Sequence, residues 1–356
     1  MKSIVKNILL IISSLVLIFV LAEIAFRIYT NVKTTYDIEM HKYALTLKKR
    51  SKVPGLSHEH IPNSSKKLMG VDISLNNLGF RGIDLGLNKL ENEKRVLLVG
   101  SSITLGWGVP EDETFASKIE TYLNSAGKKI NVVNSGIGNY NTVLEEIRFQ
   151  RLAPIVKPDA VILHYFINDA EIISSKSSNI FIKYSYLCAF FYVKIKETLV
   201  VRGFVGETSS FTNIGEYYEG MYTPDSKGWS SAKKSIQKMK RYCLANKISF
   251  LVMIQPDLHE FGEATSQKKV HNIINEFLVE ENISSLDLFL PYSDAVKRGV
   301  PSDYWVSSDD SHPNARGHQI IYESLKIYIN SNPVFLGQED ANALDSSIYN
   351  GLFPQN

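Results

Sequence analysis

The sequence predicts an α/β protein whose body is a mainly parallel sheet of five strands covered by helices on both faces, carried behind an N-terminal transmembrane helix. Two observations predict it. From Arg95 onward short apolar runs alternate five times with longer amphipathic ones, and a charge-free apolar stretch occupies the chain's beginning. Strands are expected at residues 95–99, 130–134, 160–165, 248–254 and 283–288, rich in Val, Ile and Leu and short enough to be buried on both faces. Helices are expected at 114–125, 143–152, 230–246, 267–281 and 315–329, where the apolar spacing changes to the helical period. Strand-helix alternation of this kind implies right-handed crossovers, and it places an active site beyond the carboxyl ends of the strands.

The chain of 356 residues, 44% hydrophobic and 21% charged with 21 Gly and 12 Pro, can bury a core, which excludes disorder, collagen and coiled coil. A net charge of +2 is too near balance for nucleic-acid binding to be expected. Cys188 and Cys243 lie 55 positions apart without CxxC or Cys/His spacing, so no zinc site is encoded and two free thiols are expected, a single bridge remaining open.

The apolar stretch at 8–26 is 19 residues long, interrupted only by Glu23, and close to the roughly 20 residues that cross a bilayer. No small-x-small pair follows it, because Ala22 and Ala25 are separated by Glu23 and Ile24, so an uncleaved anchor over 1–29 is expected rather than a signal peptide. Flanking cations give little orientation bias, and the body is expected on the extracytoplasmic side, periplasmic or extracellular. Residues 30–93 read as a stalk or partial cap. Within them, Asn76-Asn77-Leu78-Gly79-Phe80-Arg81-Gly82 suggests an ordered turn, with a simple β-turn as the alternative. The body is expected at 94–332 and a tail at 333–356. An insertion near 171–228 carries Phe181, Tyr184, Tyr186, Phe190, Phe191, Tyr192, Tyr217, Tyr218 and Tyr222. It either walls a substrate cleft or forms a helix packed on the core or lying on the membrane.

Four short blocks follow predicted strands. Val99-Gly100-Ser101-Ser102 brings a small hydroxyl residue to a sharp strand-end turn, the placement a nucleophile needs; Ser102 is the candidate, with Ser101 as a turn cap. Asn134-Ser135-Gly136-Ile137-Gly138 exposes backbone amides, and Gly136 is the candidate oxyanion donor. Phe166-Ile167-Asn168-Asp169 supplies a carboxamide, so Asn168 joins Gly136 and the Ser102 amide, while Asp169 orients the loop or caps a helix. Asp309-Asp310-Ser311-His312-Pro313 offers a base with its orienting carboxylate, read as His312 and Asp309. His318, within the next helix, reads as packing or solvated. His164 reads as a supporting residue behind the site.

In this order the blocks resemble those of the SGNH (GDSL-like) hydrolase family over about residues 95–329, in its membrane-anchored bacterial form. The resemblance implies a flavodoxin-like three-layer αβα fold, with Ser102 as nucleophile, Gly136 and Asn168 in the oxyanion hole, and Asp309 with His312 as the DxxH pair. Two positions depart from the family: its Gly-Asp-Ser stands here as Gly100-Ser101-Ser102, and its Gly-x-Asn-Asp begins with Phe166. The function expected is a serine esterase or O-acyltransferase acting on acyl esters, acetyl above all, of a cell-surface carbohydrate, without metal or organic cofactor. A membrane-tethered, non-catalytic glycan-binding or scaffold protein on the same fold is the alternative.

Overall fold

The computed structural model describes residues 2–125, 127–172, 180–201, 214–259, 261 and 265–336. Helix α1 (Lys2–Val32) leads almost directly into α2 (Tyr36–Thr46) and two small antiparallel pairs, β1 (Lys48–Arg50) with β2 (His58–His60) and β3 (Ser64–Leu68) with β4 (Val71–Leu75). The body follows: β5 (Glu93–Gly100), α3 (Ser102–Leu105), α4 (Phe115–Asn124), β6 (Lys129–Asn134), α5 (Thr142–Val156) and β7 (Ala160–Phe166). Helices α6 (Ile180–Tyr184), α7 (Tyr186–Val201) and α8 (Ile214–Met221) lie within the insertion. The chain then forms α9 (Lys227–Ala245), β8 (Ser249–Gln255), α10 (Ser266–Glu280), β9 (Ser284–Asp287), α11 (Phe289–Val296), β10 (Trp305–Ser307), β11 (Asp310–Pro313) and α12 (Ala315–Ser331).

The five body strands run parallel in the order β6-β5-β7-β8-β9, the flavodoxin-like 2-1-3-4-5 arrangement. All five predicted strands and all five predicted helices are present, within a few residues of the expected ends. Alternation along β5 divides the core: Leu97 and Val99 face a cluster with Phe149, Trp229, Ile236 and Ile274, whereas Val96 and Leu98 face one with Phe115, Ile119, Ile321 and Leu325. Cys243 is buried and Cys188 half-buried, and neither is bridged.

Helix α1 is long and apolar enough to cross a membrane, and its apolar side chains from Ile8 through Leu21 are all exposed. The segment after it is more than a stalk. Tyr43, Leu47, Leu68, Ile73 and Leu75 bury themselves with Leu105 and Trp107 of the body. The turn at Asn76–Gly82 is ordered beyond a simple β-turn: the Asn76 carboxamide accepts the Leu78 and Phe80 amides, and the Arg81 amide donates to the Asn134 carbonyl at 3.1 Å. Parts of the insertion, 173–179 and 202–213, and the tail from 337 onward lie outside the described residues.

Candidate active site

Strand β5 ends at Gly100, where a Cβ would lie 2.0 Å from the Thr104 hydroxyl oxygen, so glycine is required for the tight entry into α3. Ser101 is buried as the N-cap, and Ser102 begins the helix half-buried. Its Oγ lies 2.7 Å from His312 Nε2, and His312 Nδ1 lies 2.5 Å from Asp310 Oδ1. Hydroxyl, imidazole and carboxylate thus form one continuous chain, with the nucleophile and its base brought together across 210 positions of sequence.

The carboxylate is not the expected Asp309. The reason is strand geometry: residues 310–313 form β11, which pairs with β10, and along a strand alternate side chains share a face. Asp310 and His312 therefore point together. Asp309 falls in the preceding turn, where Ser307 Oγ donates to it at 2.6 Å and the Tyr36 amide at 3.1 Å. Helix α12 is capped by Asn314 rather than by either aspartate, its Oδ1 accepting the Arg316 and Gly317 amides.

Asp310 has a further partner that the sequence reading missed. Trp107 Nε1 donates to its second oxygen at 2.8 Å, so both carboxylate oxygens are engaged in a site only 3% exposed. Burial raises the Asp310 carboxyl, yet the hydrogen bonds from His312 and Trp107 outweigh it and leave the group below the usual carboxylate range, ionised at neutral pH. The Gly106-Trp107-Gly108 signal was available: both glycines have left-handed φ (80° and 71°), and a Cβ at Gly108 would lie 2.4 Å from Val306. Tyr36 covers the assembly, its ring 5.5 Å from that of His312. Burial and the Asp310 charge push its phenol up, so it stays neutral.

The oxyanion side also departs from expectation. The Gly136 amide donates to the Asn134 carboxamide oxygen at 3.1 Å, so it is already committed. Gly136 instead serves packing: a Cβ there would lie 2.3 Å from the Leu105 amide nitrogen, beneath the nucleophile helix. Gly138 donates to Tyr43 Oη at 3.0 Å. Between Ser135 and Asn139, only the Asn139 amide has no acceptor among the described residues. Asn139 holds a φ of 64°, a conformation asparagine tolerates better than most residues, and its Oδ1 accepts from Lys48. Asn168 follows β7, half-buried, and its carboxamide makes no hydrogen bond to the described residues. The register pairing Gly100 with His164 puts Ser102 and Asn168 just beyond the carboxyl ends of adjacent strands.

The segment before the body grips these loops. Arg81 donates to the carbonyls of Leu105, Gly106 and Val109, fixing the end of α3, while Lys48 and His58 both reach the Gly138 carbonyl. Asp169 is buried beside Glu145, and desolvation raises both carboxyls; Asp169 Oδ2 accepts the Phe166 amide, which orients the loop. Part of the aromatic insertion packs on the body, with Tyr218 donating to Asp257 at 2.8 Å and Tyr222 to the Ile167 carbonyl at 2.9 Å. Among the described residues no cluster of three or more His, Cys, Asp or Glu is placed to hold a metal.

Buried neutral histidines support the site. His164 lies against Thr104 and Gln255, His318 accepts the Phe115 amide, and His60 accepts from Tyr43 while donating to the Gly79 carbonyl. Desolvation lowers all three, His164 to about 4. Since unfolded imidazole titrates near 6.5, the unfolded chain takes up these protons first, and stability declines as the pH falls below about 6.5. Each such group costs about 1.4 kcal/mol per pH unit until its folded pKa is reached. The midpoint of thermal unfolding is expected to drop between about pH 6.5 and 5, the raised carboxyls of Asp169 and Glu145 opposing the three imidazoles in part because they take up protons in the folded chain. A midpoint that rises toward about pH 5 would show that the imidazoles do not dominate.

A seryl hydroxyl held by an imidazole-carboxylate pair at the carboxyl edge of a parallel sheet defines a serine hydrolase. The comparisons name the family: residues 98–320 match the GDSL-like Lipase/Acylhydrolase family, and the chain belongs to it. No curated protein matches. Among solved structures, an acetyl-xylooligosaccharide esterase, Axe2 from Geobacillus Stearmophilus, is 15% identical with a TM-score of 0.43, covering 68% of this chain and 96% of its own. The acetyl xylan esterase AlAXEase is 16% identical (TM-score 0.41; 66% and 99%), and TesA 13% identical (TM-score 0.42; 68% and 99%).

Proposed function

We propose that this protein is a membrane-anchored serine esterase or O-acyltransferase that acts on acyl esters, acetyl esters first, of a cell-surface carbohydrate, with its body on the extracytoplasmic side. The observation that carries the reading is the continuous Ser102–His312–Asp310 chain, closed behind by Trp107. Ser102 attacks the ester carbonyl, His312 takes its proton and returns it to the departing alkoxide, and Asp310 holds the imidazole with Nε2 free to accept. The Ser102 and Asn139 amides and the Asn168 carboxamide receive the oxyanion, with Asn139 in the place expected for Gly136. Water or an acceptor hydroxyl then opens the acyl-enzyme. The acetyl preference and the carbohydrate follow the named esterase neighbours, and the anchor and side of the membrane follow α1.

The test is hydrolysis of p-nitrophenyl acetate and of acetylated glycans by the full chain in detergent. Ser102→Ala is expected to abolish turnover with thermal unfolding unchanged, and Asn168→Ala to lower it by about 10²–10³. Equal turnover by Ser102→Ala and the parent chain would remove the mechanism.

A further inference from the structure

We propose that α6 and α7 form a second membrane-contacting element, seated in the bilayer interface beside α1, which holds the mouth of the Ser102 site at the membrane surface. The inference rests on the anchor reading given above. Its substrate consequence is that the ester or the acceptor hydroxyl belongs to an amphipathic or lipid-linked molecule carried at the bilayer.

From Tyr186 to Ile195 helix α7 is apolar but for Lys194, a pattern that suits a protein core or lipid better than a solvated surface. Among the described residues, α1 and α2 cover part of it and leave the rest open. Ala189 is buried, and Phe190 packs 5.3 Å from Phe26 of α1. Phe191, Tyr192 and Ile195 are each more than half exposed, as is Tyr184 at the end of α6. At about 1.5 Å per residue its 16 residues reach about 24 Å, short of the roughly 30 Å of hydrocarbon, so it lies in the interface rather than spanning. Tyrosines and lysines flanking apolar rings are the side chains that settle at that depth.

The polar groups of α1 tie the two helices into one unit. Glu23, the one acid in α1, accepts from Ser185 Oγ at 2.8 Å and from the Tyr186 and Leu187 amides at 3.0 Å, so it caps the first turn of α7. Arg27 pairs with Glu23 and donates to the Tyr184 carbonyl, with its guanidinium 4.4 Å over the Tyr186 ring. A carboxylate at the end of an apolar span is costly unless it is paired, and α7 together with Arg27 supplies the partners. The two helices therefore enter the same medium. On its other side α7 is joined to α2 by Lys194 and Asp37 at 2.9 Å, and α2 begins at Tyr36, whose ring lies over His312. From Val32 to Tyr36 the chain reaches at most about 14 Å, so the catalytic imidazole sits close to the end of the anchor.

The test places an environment-sensitive NBD fluorophore on single cysteines of the full chain in lipid nanodiscs, in a Cys188→Ser background that retains the buried Cys243. Labels go at Ile12→Cys, Phe191→Cys and Leu244→Cys, the last being an exposed apolar residue of α9. Doxyl-labelled phosphatidylcholine is the quencher, a cooperative thermal melt of each labelled variant verifies folding, and fluorophosphonate labelling in the same discs reports the reactivity of Ser102. The 12 and 191 labels are expected to shift to the blue and lose most of their emission to the quencher, while the 244 label does neither. A 191 label that behaves like the 244 label, beside a quenched 12 label, overturns the proposal. If the 12 label is also unquenched, the anchor reading fails with it. Loss of Ser102 labelling with quenching intact would sink the esterase reading alone.

Discussion

Asp310→Asn lowers kcat for ester hydrolysis by about 10³–10⁴, because the amide no longer holds the imidazole in the tautomer whose Nε2 accepts the seryl proton. Asp309→Asn, one residue away, leaves kcat within a small factor, since that carboxylate touches Ser307 and the Tyr36 backbone and not His312. The pair of variants is sharper than either alone. Both change the same charge in the same loop, so general electrostatics predict equal losses, whereas the hydrogen-bonded chain predicts a large loss in one only. Steady-state kinetics on p-nitrophenyl acetate decide it, and a greater loss in Asp309→Asn would return the orienting role to the residue the DxxH spacing suggests.

The second large effect concerns the segment between anchor and body. A chain beginning at residue 71 loses Ile38, Tyr43, Leu47, Leu56 and Leu68, all buried. Burial of one large apolar side chain is worth about 1.5–3 kcal/mol, so five approach the about 5–15 kcal/mol that holds a typical domain folded. The same cut removes Lys48, His58 and Tyr43 from the Gly138 turn and exposes Ile73, Leu105 and Trp107. Such a chain is expected to aggregate or to unfold far below a chain beginning at residue 34, and to lose its esterase activity. Circular-dichroism melts and turnover of the two proteins, measured beside the full chain in detergent, test this. Equal stability would mean that the segment rests on the body without clamping it.

The parallel sheet and its covering helices were legible because burial on both faces writes itself as short apolar runs, and crossover helices as amphipathic ones. The four blocks were legible because strand ends are where chemistry gathers. The segment at 30–93 was opaque for a physical reason. Its strands are three to five residues long, too short for its apolar residues to mark a period of their own. The choice of Asp310 over Asp309 depended on a strand of four residues whose pairing with β10 no local pattern announces. Gly136 misled in the same way: a glycine after a strand signals either an exposed amide or a close approach, and here the approach of Leu105 decides. Glu23 looked like a blemish in an apolar span, and its partners in α7 lie more than 160 positions away.

The central claim is that Ser102 is a nucleophile activated by His312 and Asp310. The most direct measurement is reaction of the full chain in detergent with a fluorophosphonate probe, followed by peptide mass spectrometry of the adduct. A single adduct on Ser102, lost in Ser102→Ala and strongly slowed in His312→Ala and Asp310→Asn, is the expected result. An adduct on Ser101, or one on Ser102 that forms at the same rate without His312, would contradict it.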